Sequence, residues 1–531
     1  MQKNEKDRAA RHDLLTDQGE ARRTSRREML KTLGVLAGAA VVGAAVPAEA
    51  QPVSATPMPA WDREFDVVVV GSGFAGCAAS IEAKRAGADV IVLEKMAAYG
   101  GNSAINGGAF AVANSRLQAK LGIKDSVETM MRDMLKAGRG TNHEDLLRVI
   151  CEGTASAYEF TLEFGVKYLD KVLQFGGHSI PRTMQTVNFT GGDIVVPLRE
   201  GGKKLGVLYK NRCKLEQILT GPDGAVIGIQ VREDYAFPDE KSGTLRSYKI
   251  RQGLVMATGG FSRDIRYRTA QIPHLDESVE STNHPGATAE GFQAMLAVNA
   301  VPVNSSSFQL GPWASPDEGG FGYAPQFNQQ GTFPYGMMVD ARTGKRFVNE
   351  MADRKTRADA ELKLRDDPAK PPVYPVAFTV TEGLKDIPDT TLKAALRFGV
   401  AKKFESLEAL AQHHDIPLEP LKEQVERYNQ AVRDGVDKEF GKPIRAKIFL
   451  DKPPYYAMRC WPKVHFCQGG VGVNTNAEVL HMRTGKPIPG LYAAGEVVGG
   501  PHGESRLGSC SIADCLVMGR IAGKNAGNRK A

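Results

Sequence analysis

Apolar residues in this chain gather first into short runs that end abruptly in glycine, and only later into stripes spaced three or four residues apart. The first run, Phe65 to Val70, stops at Gly71, Gly73 and Gly76 and passes into a helical pattern over Cys77 to Ala86. A run this short and apolar predicts a strand buried on both faces, as in a parallel sheet. A second strand is expected over Asp89 to Leu93, ending at Glu94. The pattern returns in Gly253-Leu-Val-Met-Ala-Thr-Gly-Gly-Phe261 and in Gly490-Leu-Tyr-Ala-Ala-Gly-Glu-Val-Val-Gly-Gly500. Between these two, Leu392 to Phe404, Leu407 to His413 and Leu418 to Val432 have helical spacing, with a break at Pro417.

Strands alike in pattern but far apart in sequence predict a discontinuous domain interrupted by an insert. The expected class is α/β: a Rossmann-like domain from residues 62–305 and 467–531, with an α+β cap inserted over residues 306–466. The glycines say what that domain holds. Gly71 permits a tight turn, Gly73 lets the backbone approach a pyrophosphate, and Gly76 lets the following helix pack against the strand. Glu94 stands eighteen residues after Gly76, at the end of the second strand, where a carboxylate can accept from a ribose hydroxyl. The loop Tyr99 to Gly108 is too rich in glycine for a regular element and can wrap phosphates, with Asn102 and Ser103 as contacts. A dinucleotide cofactor is therefore expected.

The amino terminus carries a different signal. Ser25-Arg-Arg-Glu-Met-Leu-Lys31 precedes the small apolar run Leu33 to Val46 and then Ala48-Glu-Ala50, which together look like a twin-arginine export signal over residues 1–50. The run's 14 residues fall short of the ~20 that span a bilayer, so cleavage near Gln51 and a periplasmic protein are expected. The net charge of +7 is spread without a basic block, which implies no nucleic-acid partner. Seven dispersed cysteines form neither a haem-attachment motif nor a zinc-ligand spacing, so no metal is expected, while a disulfide stays open.

Several motifs occur in a telling order: the Gly71 loop, Gly100-Gly-Asn-Ser103, His284-Pro-Gly-Ala-Thr288, Arg346-Phe-Val-Asn-Glu350 with Arg354, His465 before Gly469-Gly470, and Gly495-Glu496 with Arg506-Leu-Gly508. Over residues 62–527 the chain resembles the flavoprotein of the fumarate reductase and succinate dehydrogenase family. It is most similar to the soluble periplasmic branch of flavocytochrome c fumarate reductases and urocanate reductase, without a haem domain. The resemblance implies FAD, held by Gly71, Gly73, Ala75, Gly76, Glu94, Lys95, Asn102, Ser103, Gly107, Gly108, Gly259, Gly260, Glu290, Phe466, Glu496, Ser511 and Ile512. No histidine stands in the Gly100 to Gly108 loop, so reversible rather than covalent attachment is expected. It also implies hydride delivery from the flavin to an enoate, with Arg354 as proton donor and His465 and Arg506 as catalytic groups that grip a carboxylate.

Departures from that pattern bear on the substrate. The stretches Phe308-Gln-Leu-Gly311 and Asn328-Gln-Gln-Gly331 lack the histidine and the threonine-glutamate pair that the family uses for a second carboxylate and for proton relay. The relay arginine expected near Phe333 is missing as well. Gln309 and Gln330 become the expected substrate contacts, and Trp313, Phe321, Tyr323, Phe327, Phe333 and Tyr335 offer apolar surface. An enoate other than fumarate is expected, urocanate-like or cinnamate-like. The alternatives are a 3-ketosteroid-type desaturase and a dehydrogenase running the same chemistry backwards. Electrons would pass through a separate cytochrome c or quinol enzyme. On spacing alone, Asp353 to Arg357 reads first as a solvated helix face, and it is the resemblance that makes Arg354 a proton donor.

Overall fold

Five parallel strands carry the main sheet of the computed structural model, which describes residues 60–365 and 372–530; the outermost, Leu208–Lys210, lies beside Val90–Leu93, and the other four set the site. The expected export segment lies outside the described residues. Arg63–Val70 runs parallel to Val90–Leu93 on one side and to Thr244–Met256 on the other. Pro487–Ala493 adds beyond Thr244–Met256, again parallel. The register sets Val70 opposite both Leu93 and Met256, and Ala493 opposite Met256. All four strands therefore finish at one level, and their glycine loops emerge side by side.

Physical reasons for this sheet are local and strong. Val67, Val68 and Val69 are wholly buried, and each contributes about 1.5–3 kcal/mol by leaving water. Helix Phe74–Arg85 starts directly after the glycine turn and packs against the carboxy-terminal helix Cys510–Asn528. That contact is close because a Cβ on Gly523 would stand 2.0 Å from the Ala79 carbonyl oxygen. Gly76 performs the packing role expected of it, since a Cβ there would meet the Gly71 oxygen at 1.9 Å. The fold is thus of the α/β class, extended by an antiparallel ribbon, Cys213–Thr220 and Val226–Glu233, that the sequence pattern did not reveal.

A second sheet of five antiparallel strands runs through Lys345–Arg346, Met337–Asp340, Val376–Val380, Tyr455–Arg459 and Lys402–Phe404. Helices Leu407–His413 and Leu418–Asp434 cover it around a core of Phe378, Leu421, Tyr428 and Tyr455. The helix expected over Leu392 to Phe404 is shorter. It spans Asp389–Arg397, after which Gly399 takes a positive φ of 74° and the chain turns into the strand Lys402–Phe404. Glycine in the left-handed region ends a helix cheaply, and apolar spacing does not register that. A third apolar cluster gathers Trp313, Phe327, Phe333 and Cys460. All seven cysteines are free thiols.

Candidate active site

Where these four parallel strands end, their loops line a cleft. Gly71, Gly73, Ala75, Glu94, Lys95, Asn102, Ser103, Gly259, Gly260, Glu290 and Glu496 all line it. Gly71 has a φ of 105°, and a Cβ there would lie 2.2 Å from the Ala257 oxygen. Only glycine fits. A Cβ on Gly73 would crowd Ser103 Oγ at 2.8 Å, whose hydroxyl accepts from Phe74 N at 2.9 Å and so ties the wrapping loop to the start of the helix. Glu94 is held by Ser72 Oγ at 2.6 Å and by Met96 N at 2.9 Å. Lys95 pairs with Glu290 at 3.2 Å.

Other expected cofactor residues stand elsewhere. Gly76, Gly107, Gly108, Phe466, Ser511 and Ile512 are not part of the cleft wall. Gly108 shapes the loop instead, where a Cβ would strike Thr186 Oγ1 at 2.2 Å, and Gly107 accepts from Gln185 Nε2 at 2.7 Å. Ser511 and Ile512 lie in the first turn of the carboxy-terminal helix. Ser72, Lys214, Thr258 and His284 line the cleft without having been singled out as contacts. Ser72 lay in plain view between two motif glycines; Lys214 carried no signal.

The cleft suits FAD on structural grounds. It combines a helix amino terminus, glycines whose Cβ atoms would collide with backbone or hydroxyl, and a carboxylate at the end of the second strand. Burial pushes Glu496 up to about 7, despite the hydrogen bond it accepts from Cys467 N at 2.9 Å.

Beside Glu496 the strand Lys463–Cys467 leads from the cleft to a cluster of cations. It pairs antiparallel with Phe308–Gly311, Gln309 facing Phe466. Gln309 is buried, and its amide donates to Ser505 Oγ at 3.0 Å and to the Arg506 oxygen at 2.9 Å, while its carbonyl accepts from Arg354 Nη1 at 3.1 Å. One glutamine thus ties three segments together. Arg506 lies over the Phe466 ring at 4.6 Å, and Arg354 lies over Trp313 at 5.7 Å. His465 stands edge-on to Trp313 at 4.7 Å, with Nδ1 held by Thr282 Oγ1 at 2.8 Å, which leaves Nε2 toward a ligand. Arg354, His465, Arg506 and Gln309 therefore come together. Gln330 sits apart from these contacts, in the π-helical turn Asn328–Thr332, with its Oε1 buried and unpartnered among the described residues.

Arg354 owes its position to the RFVNE motif. Arg346 is buried in ion pairs with Glu350 at 2.7 Å and Asp437 at 3.0 Å, and Glu350 also takes the Met338 amide at 3.0 Å. The chain leaving that anchor is caught by Asp353, which caps helix Arg354–Leu362 by accepting from Thr356 N. Arg354 is thereby the first residue of the helix, where the dipole disfavours a cation. The Arg506 loop is braced from behind by His178, bonded to the Gly508 oxygen at 2.8 Å and to Arg182, itself buried against Asp125 and Asp133.

Among the described residues neither Arg354 nor Arg506 makes an ion pair, although Arg506 is only 4% exposed. Desolvation, then Arg506 and Arg357, pull Arg354 well below the usual arginine range. His465 is held far below its ordinary value by desolvation and by the same arginine pair, Arg354 and Arg506, and so stays neutral. The N–H groups of Trp313 Nε1 and Arg506 Nε are buried with no acceptor among the described residues. Donors without acceptors and cations without counter-charges define a place for an anion. The solvated-face reading of Asp353 to Arg357 fails here, because Arg357 is buried with its guanidinium over the Phe333 ring at 5.1 Å. Three-residue helical spacing from Arg354 was the signal that could have found it.

Comparison with known proteins gives the family. A family profile described as FAD binding domain matches residues 66–512. The acrylate reductase flavoprotein subunit of Shewanella woodyi is 49% identical over 501 residues, 94% of this chain and 97% of the relative. The urocanate reductase of Eggerthella lenta is 33% identical, covering 87% and 74%. The open conformation of a flavocytochrome c3 fumarate reductase superposes with a TM-score of 0.71 at 27% identity, over 96% of this chain and 81% of that one. The chain belongs to the FAD-binding flavoproteins of the fumarate reductase and succinate dehydrogenase family, and is an FAD-dependent oxidoreductase.

Proposed function

We propose that this protein reduces the carbon–carbon double bond of a short α,β-unsaturated monocarboxylate. The observation that carries the reading is the pair of desolvated cations Arg354 and Arg506, without a counter-charge among the described residues, with neutral His465 beside them near the cofactor cleft. Arg506 and His465 Nε2 grip the single carboxylate, with the Trp313 indole N–H as a further donor. Bound and reduced FAD supplies a hydride to the β-carbon of such a substrate. Arg354 gives the α-carbon a proton. Its neighbours Arg506 and Arg357, the desolvation around it and the helix terminus all lower the cost of releasing that proton.

A compact substrate is favoured over one with an aromatic tail. Phe327 and Phe333 are spent on their own apolar cluster, and Tyr323 stacks on Phe398. The 49% identity to a protein named for acrylate supports the same size class. That relative is named as a flavoprotein subunit, which fits a separate electron donor for a chain without a haem-attachment motif. Export of the folded flavoprotein through the Ser25 to Lys31 signal completes the reading.

The test is anaerobic reoxidation of the reduced protein by acrylate, urocanate, cinnamate, fumarate and a 3-ketosteroid. Acrylate is expected to be fastest. Reoxidation by the steroid alone removes the enoate assignment, and urocanate as the best acceptor removes the compact substrate. Arg354→Ala is expected to lose about 10³-fold in kcat while keeping its flavin; wild-type turnover in that variant sinks the proton-donor role.

A further inference from the structure

Helix Arg354–Leu362 carries two more ionisable side chains on the face that begins with Arg354. Arg357 stands at i+3 from Arg354 and Glu361 at i+4 from Arg357, spacings that bring Cβ atoms within about 5–6 Å of each other. Both side chains are buried, Glu361 completely. Glu361 is the odder of the two. Neither carboxylate oxygen has a hydrogen-bond partner among the described residues, and Arg357 Nε has none either. A buried acid left unsatisfied costs stability and calls for a reason.

The cluster itself poses a supply problem, on the reading given above. Arg354 would lose a proton at every turnover, and its surroundings offer few replacements. Gln309 does not titrate, His465 is neutral, and Arg506 is assigned to the substrate carboxylate. Two further ionisable groups act on Arg354: Cys510, which burial pushes up to about 12 and keeps a neutral thiol, and Arg357, which leads away along the helix.

We propose that Arg357 and Glu361 form the route by which protons reach Arg354 from solvent. Arg354 gives one proton to the α-carbon, and its neutral guanidine takes one from Arg357. The Glu361 O–H bond breaks to restore Arg357, and the carboxylate so formed is reprotonated from water. Each transfer spans neighbouring helical positions or one bridging water. One proton moves from solvent to product per turnover, and no electrons move along the helix.

The electrostatic setting supports this order. Burial raises Glu361 well above the ordinary carboxyl range, with Arg357 only partly offsetting it, which favours the protonated form that a donor needs. Arg357 is lowered to about 10 by desolvation, against the opposing pull of Glu361, Asp353 and Glu350. Cys460 is the other titratable group acting on the carboxyl, and burial keeps it a neutral thiol. One turn beyond Glu361, Arg365 interacts with Asp276 near the surface, which gives the route an outer end. Arg357 also donates to the Glu350 oxygen at 3.2 Å, so its position is fixed by the RFVNE anchor that fixes Arg354.

Glu361→Gln preserves shape and removes the proton. With acrylate as acceptor and reduced methyl viologen as donor, kcat is expected to fall about 10²-fold, with KM and bound flavin within about twofold of wild type. The solvent isotope effect on kcat should rise, the kcat–pH profile should change shape, and Glu361→Asp should recover part of the rate. An unchanged kcat and pH profile in Glu361→Gln overturns the route. Equal losses in the Gln and Asp variants, accompanied by flavin release, overturn it too, since they mark a structural role. If Glu361→Gln does not fold, the solvent isotope effect and pH profile of Arg357→Lys against wild type decide, and unchanged values refute the route. An active wild type with a normal Glu361→Gln removes the route alone; a wild type inert to every enoate removes the function and the route together.

Discussion

The cofactor cleft and the arginine cluster adjoin one another, yet they are built on opposite principles. The cleft is made of backbone: glycines at strand ends, a helix terminus, and loops that leave one sheet edge together. Its core, from Gly71 to Ser103, follows in one short stretch of sequence, and later strand ends complete it. The cluster is made of side chains drawn from five separated segments, at Thr282, Gln309, Arg354, His465 and Arg506. The first kind of site tolerates no added atom, whereas the second tolerates no lost charge.

Three substitutions test that contrast. The largest effect is expected from Gly71→Ala, which places a methyl 2.2 Å from the Ala257 oxygen at a φ of 105°. A clash and a strained backbone at about 1–3 kcal/mol each should weaken flavin binding by about 10³-fold, read from absorbance of the purified protein. Full flavin content there would mean that the cleft is not held by close backbone approach.

Next in size is Arg506→Lys, which keeps the charge and loses the planar fork. It should lower kcat/KM for the enoate by about 10²-fold, chiefly through KM, with flavin content unchanged. A loss of flavin instead of KM would merge the two regions into one site.

Glu496, at the border of the two, gives the smallest effect. Its folded value of about 7 lies above the ordinary 4.5 because burial disfavours the charge. Between those two values the folded protein holds a proton that the unfolded chain has released. Stability should therefore fall as pH rises through that window and level off above it. Glu496→Gln should flatten the slope in thermal melts, and an unaltered slope would place its origin elsewhere.

Much of the cleft was legible because its chemistry is local. Gly71, Gly73 and Glu94 stand in the order of strand, turn, helix and strand that they serve, and the parallel register brings their ends together. The cap was harder. Its strands are short and mixed with helices, and Gly399 turns a helical stripe into a strand within a few residues. Gln309 was named as a substrate contact, but its use as the link between Arg354 and the Arg506 loop could not be read from spacing. Arg357 and Glu361 were hidden for another reason: charged residues on a helix normally face water.

The sequence by itself determined the parallel strands, the glycine turns and the acidic residue at the second strand's end, because steric permission and hydrophobic runs act between near neighbours. It also carried the motif order that marks Arg354, His465 and Arg506. Only the tertiary structure decided that Arg354 and Arg506 meet without counter-charges among the described residues, that Phe333 is consumed by packing, and that Glu361 is buried there with no hydrogen-bond partner. Burial and charge compensation depend on what every other segment brings to the same place, and no stretch of chain contains that information.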